Sequence, residues 1–143
     1  MKGLGRCWLQ VTCALVLAQA FASEGAQSRP TVDPVTGVWK LEKIVYPSST
    51  VETQGGFIFL EGHYSTTVNF SLQGSQTNIS QFGGYTVDGN HLILVPVVHV
   101  STRAQTVIYE PEPPFTLEFT ITGDEMRGVA VKDGTTFIFR RIR

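Results

Sequence analysis

From Thr36 onward, apolar residues recur at every second position rather than at helical spacing. Phe115, Leu117, Phe119 and Ile121 alternate with Thr116, Glu118, Thr120 and Thr122. Tyr64, Thr66, Val68 and Phe70 alternate with His63, Ser65, Thr67 and Asn69 in the same way. A strand points successive side chains to opposite faces, so each segment buries one face and wets the other. Residues that tolerate positive φ punctuate the chain at Glu61-Gly62, Asp88-Gly89-Asn90, Gly123-Asp124 and Asp133-Gly134. Together these signals predict strands over 37–46, 55–60, 63–72, 82–88, 91–100, 104–110, 115–122, 126–132 and 135–142. Gln73–Gln81 is polar, lacks alternation and reads as a loop. Pro111-Glu112-Pro113-Pro114 reads as a stiff connection outside the sheet, because its prolines cannot donate to a ladder. No helical stripe of useful length is present.

A meander of short strands leaves two sticky edges if it stays flat, and closing the sheet removes both. The chain is therefore expected to be all-β, a single up-and-down antiparallel β-barrel of about eight strands. Two stacked sheets are the alternative, since periodicity alone does not show closure. Leu92–Val98 is apolar on both faces, which fits a strand covered by a tether, a loop or a partner chain. Pro96 within it marks an edge, a bulge or a bend.

The first 22 residues read as a separate unit. Lys2 and Arg6 precede a mostly apolar run, Leu9–Leu17, and Ala20-Phe21-Ala22 supplies small residues where a signal peptidase reads. The run is far short of the ~20 residues needed to cross a bilayer, so a cleaved secretory leader is expected rather than an anchor. Cleavage falls between Ala22 and Ser23, exporting the protein to the periplasm or the medium. Residues 23–35, with Pro30 and Pro34, form a polar tether, and 36–143 the folded domain. Both cysteines, Cys7 and Cys13, leave with the leader, so the exported chain has no disulfide, no thiolate metal ligand and no cysteine nucleophile. Losing Lys2 and Arg6 takes the Lys+Arg count of 11 down to nine against 12 Asp+Glu, a net charge of −3. That balance, without a basic patch, argues against nucleic acid and anionic lipid as partners.

Several segments share a pattern. Gly37-Val38-Trp39-Lys40-Leu41 opens the first strand as a G-x-W motif. Gly55-Gly56-Phe57-Ile58-Phe59 is followed by Gly62-His63-Tyr64-Ser65, and Gly84-Tyr85-Thr86-Val87-Asp88-Gly89-Asn90 by Gly123-Asp124-Glu125-Met126 and Phe139-Arg140-Arg141. In order and spacing these pieces resemble the small secreted and bacterial lipocalin-like domains. The resemblance covers nearly all of 36–143. It implies a calycin-type barrel with Trp39 plugging the closed end and an arginine near the last strand packed across the indole. Arg141 shares parity with Phe137 and Phe139, which favours it over Arg140.

The chemistry-bearing residues are few. His91 and His99 lie eight apart on one strand and on one face by parity, about 26 Å apart at roughly 3.3 Å per residue, so they cannot share a metal. His63 could approach only one of them, and no metal site or cofactor is expected. Glu110, Glu112 and Glu118 are better explained as a solvated rim than as paired catalytic carboxylates. Gly55-Gly56 and Gly83-Gly84 read as bulges or close approaches. What remains is the interior. Tyr64, Phe70, Tyr85, His99, Tyr109, Phe115, Phe119 and Phe137 are the candidate lining of a pocket for a small hydrophobic or amphipathic molecule. An eight-stranded barrel is wide enough either to be filled by side chains or to hold one small ligand. Two alternatives stand beside ligand binding. One is a cyclase, isomerase or dehydratase using His99, Tyr85 or Tyr109 as acid–base groups. The other is a filled barrel that pairs with a partner protein through 91–100.

Overall fold

The computed structural model of the chain describes residues 33–103, 106–109 and 112–143, and the backbone alone at Tyr109. The leader 1–22, most of the tether and Glu110 lie outside the described residues. Nine strands follow in chain order among those residues: β1 Gly37–Tyr46, β2 Ser49–Leu60, β3 His63–Leu72, β4 Ser75–Asp88, β5 His91–Arg103, β6 Thr106–Tyr109, β7 Phe115–Thr122, β8 Glu125–Ala130 and β9 Thr136–Ile142. Each pairs antiparallel with its neighbour in sequence, except that β6 and β7 both pair with β5 rather than with each other, and β9 returns to β1. The sheet closes on itself as an eight-strand up-and-down barrel, with β6 as one extra strand along β5.

β6 and β7 keep one register on β5. Leu94 faces Phe115 and Val100 faces Tyr109, with five positions on each strand in between. Those positions hold Pro96 on one side and three prolines on the other. Proline has no N–H to give, so among the described residues the ladder leaves off at Tyr109 and resumes at Phe115.

The 73–81 segment is a hairpin and not a loop: Phe70 faces Thr77 and Leu72 faces Ser75. Gln73 (φ 53°) and Gly74 (φ 79°) form its two-residue turn, as Glu61 (φ 49°) and Gly62 (φ 77°) do one hairpin earlier. Positive φ at both residues gives the turn the twist of the flanking strands. Alternation is missing in the sequence because this ribbon is half-exposed along most of its length and meets little core. β2 likewise begins earlier than expected, at Ser49, with Val51 and Thr53 inward.

Two bulges reset which residues face inward. On β1, Leu41 faces Phe139 but Lys43 faces Ile138, so Glu42 is the extra residue and Ile44 turns inward. On β5, Gly83 faces Pro96 and Phe82 faces Val98, so Val97 is extra and 74% exposed. Inward residues are therefore Leu92 and Leu94 before the bulge and His99 after it.

One end of the barrel is solid. Trp39, Phe59, Leu92, Leu117, Met126 and Phe139 are fully or almost fully buried there, near the turns 61–62, 89–90 and 123–124. Val35 is also fully buried, so the last residues assigned to the tether belong to the barrel. Asp33 folds them over: its Oδ1 accepts from the Val35 N–H at 3.0 Å and its carbonyl from the Thr36 N–H at 3.1 Å. Outside, β5 is less covered than its composition suggests, with Val95 and Val97 exposed and Phe82 stacked on His63 at 6.3 Å between ring centroids.

Candidate functional site

The solid end is built around the indole. Trp39 is 0% exposed, and its Nε1–H donates to the Val35 carbonyl at 2.7 Å. The Arg141 guanidinium lies 4.2 Å from the ring centroid. It donates to the carbonyls of Thr36 and Pro34, both at 2.8 Å. Arg140 points elsewhere, to Glu42 and Glu125. Adjacent strand residues face opposite ways, so one arginine stacks and the other is solvated. Gly37 fits the same arrangement: its φ is +131°, and a Cβ there would sit 3.1 Å from the guanidinium.

Toward the other end the barrel is hollow. A cavity of about 210 Å³ is walled by Leu41, Ile44, Phe57, Val68, Phe70, Ile79, Leu94, Pro96, Phe115 and Phe137. Tyr64, Thr66, Gln81 and Glu112 give it one polar side. The aromatic wall is fixed by edge-to-face packing, Phe115 on Phe137 at 5.7 Å and Phe57 on Phe139 at 5.4 Å.

Of the residues expected to line a pocket, Tyr64, Phe70, Phe115 and Phe137 do so. Tyr85 and Phe119 do not. Both lie four positions before a closed-end turn, so their rings fill the solid end, Tyr85 against Phe59 at 5.1 Å. The Tyr109 side chain lies outside the described residues. His99 is buried behind Gln81 and Glu112 and reaches the cavity through them. His91 is on the outer face, 3.7 Å from Glu118. The two histidines thus face opposite ways, because the Val97 bulge reverses parity between them. Among the described residues, no three His, Cys, Asp or Glu side chains gather closely enough to hold a metal ion.

Glu112 corrects the sequence reading most. It is not simply a solvated rim residue, since its carboxylate accepts from the Gln81 side-chain amide and lies 3.2 Å from His99 Nδ1. Gln81 Nε2 also donates to His99 Nδ1 at 2.7 Å, and Tyr64 Oη donates to Gln81 Oε1 at 3.4 Å. The reverse amide orientation would press Gln81 Oε1 against the carboxylate with no hydrogen between them. Glu112 therefore fixes Gln81. The proline run that looked like a plain connector is what carries Glu112 to the break between β5 and β7.

This end of the cavity disfavours negative charge. Burial, and secondarily the charge on Glu112, push the Tyr64 phenol up from 10.0 to about 12. The folded state holds that proton more tightly than the unfolded chain. The corresponding stability is intact below pH 10 and is lost as pH climbs toward about 12. Burial also raises Tyr46 and Tyr85. Urea midpoints measured at successive pH values are expected to fall in this window, and less steeply in Tyr64→Phe.

Among the described residues, no helix is long and apolar enough to cross a membrane. No protein-family model matches the chain, and no curated protein matches it.

Proposed function

We propose that this protein is an exported, lipocalin-like barrel that holds one small amphipathic molecule in its interior. The observation that carries the reading is the 210 Å³ cavity with an apolar wall and a single polar side. A dry cavity of about 150 Å³ takes up benzene, so this one suits a single ring, or a short chain, bearing one polar group. The Trp39–Arg141 plug supports the lipocalin-like assignment, and the Lys2–Ala22 pattern supports export, which an N-terminus at Ser23 in the secreted protein would check.

The test is calorimetric titration with toluene and benzyl alcohol. Saturable one-to-one binding is expected. Ile79→Trp, which puts an indole into the half-buried wall of the cavity, is expected to weaken it at least about tenfold while the unfolding midpoint moves little. Absence of uptake, or equal uptake by the variant, would remove the binding reading.

One observation favours a second reading. A buried histidine lies against a carboxylate, and a tyrosine stands across Gln81 from both, which supplies acid–base groups for an isomerase, cyclase or dehydratase. A molecule recovered from the protein unchanged, after incubation in deuterated water and without exchanged hydrogens, supports the carrier. A rearranged or deuterated one supports the enzyme.

A further inference from the structure

We propose that the cavity selects molecules whose polar head donates hydrogen bonds, an ammonium above all, and discriminates against carboxylates. The inference rests on the ligand-binding reading and specifies what that site takes.

It follows from counting hydrogens at the polar side. Tyr64 directs its hydroxyl hydrogen to Gln81 Oε1 at 3.4 Å. Gln81 has two amide hydrogens, and their acceptors are Glu112 Oε2 and His99 Nδ1. Thr66 Oγ1 donates to the Gly56 carbonyl at 2.8 Å. Each side-chain donor that faces the cavity is thus committed to a protein acceptor. What remains open is acceptor capacity: lone pairs on Tyr64 Oη and Thr66 Oγ1, and the Glu112 carboxylate. A guest must bring the hydrogens itself.

Charge sharpens the choice. Glu112 is the one charged side chain among the described lining residues. A carboxylate guest would meet a like charge and find no donor. An ammonium guest would gain a charge-assisted hydrogen bond from a partly dry site. A hydroxyl guest falls between. The cavity leaves room for one ring and one such head, which makes small aryl or alkyl amines the ligand class.

The experiment compares benzylamine, benzyl alcohol, toluene and benzoate on the full chain by calorimetry. It is run at about pH 8, above the ordinary imidazole range. Benzylamine is expected to bind roughly tenfold tighter than benzyl alcohol, with benzoate weakest. In Glu112→Gln the amine should fall to within about threefold of the alcohol. Benzoate binding as tightly as benzylamine, or an amine preference that survives Glu112→Gln, would overturn the proposal while toluene binding still upholds the cavity. If toluene fails to bind as well, the ligand-binding reading falls and takes this one with it.

Discussion

Trp39→Ala is expected to lower the free energy of unfolding by about 3–5 kcal/mol in a urea titration. The indole is wholly buried, and its removal opens a void at the centre of the solid end. Three further interactions go with it: the Nε1 bond to Val35, the cation–π contact at 4.2 Å and the surface on which Arg141 rests while holding Pro34 and Thr36. A stacked guanidinium alone contributes about 0.5–2 kcal/mol. Trp39→Phe keeps much of the volume but loses the hydrogen bond, so it should cost distinctly less. A loss below about 1 kcal/mol in the alanine variant would show that the plug does not hold the barrel end together.

The second large effect is expected at Gly55. Its φ of +113° lies where L-residues rarely go, and a Cβ there would fall 2.0 Å from the Thr67 carbonyl oxygen on β3. Backbone cannot rotate aside as a side chain can, so Gly55→Ala must part β2 from β3 or change the local φ. Either route is expected to cost about 2–4 kcal/mol by chemical denaturation. Gly74→Ala is the control. It also has positive φ, +79°, but nothing lies within 4 Å, so only about 1–2 kcal/mol of conformational strain is expected. Equal losses at the two sites would mean that the close approach at Gly55 is relieved without cost.

Both predictions concern residues whose roles could be read, in different degrees, before any coordinates. The inward set of β3 was legible because Tyr64, Thr66, Val68 and Phe70 alternate without interruption and sit on a wall with one dry face. Closure followed from the need to hide two edges. The hairpin at 73–74 was not legible, since a ribbon half-exposed along most of its length carries little period-two signal. Parity alone puts His99 on the face of His91, yet His99 is inward and His91 is not. Pro96 hinted at a bulge, but only the register shows that Val97 is the residue expelled and that parity reverses after it. The meeting of Glu112 with Gln81 is not legible for a related reason. They lie 31 positions apart, one in a polar hairpin and one among prolines, and nothing local says that they meet. Periodicity tells which face a ring occupies and not its height along the axis, so it does not separate the rings of the cavity from those of the solid end. Tyr85 and Phe119 are on the right face at the wrong level.

The shared register of β6 and β7 has a consequence for traffic. Between Leu94 and Val100, β5 has no rung to the described residues Glu112–Pro114, and the prolines on both sides cannot make one. Among the described residues, the wall beside Glu112–Pro114 has no backbone rung to β5. For the guest proposed above, this stretch beside Glu112 is the part of the described wall with the fewest backbone bonds to part. The same missing donors make the gap a poor template for a stray strand, so it does not become a point of aggregation.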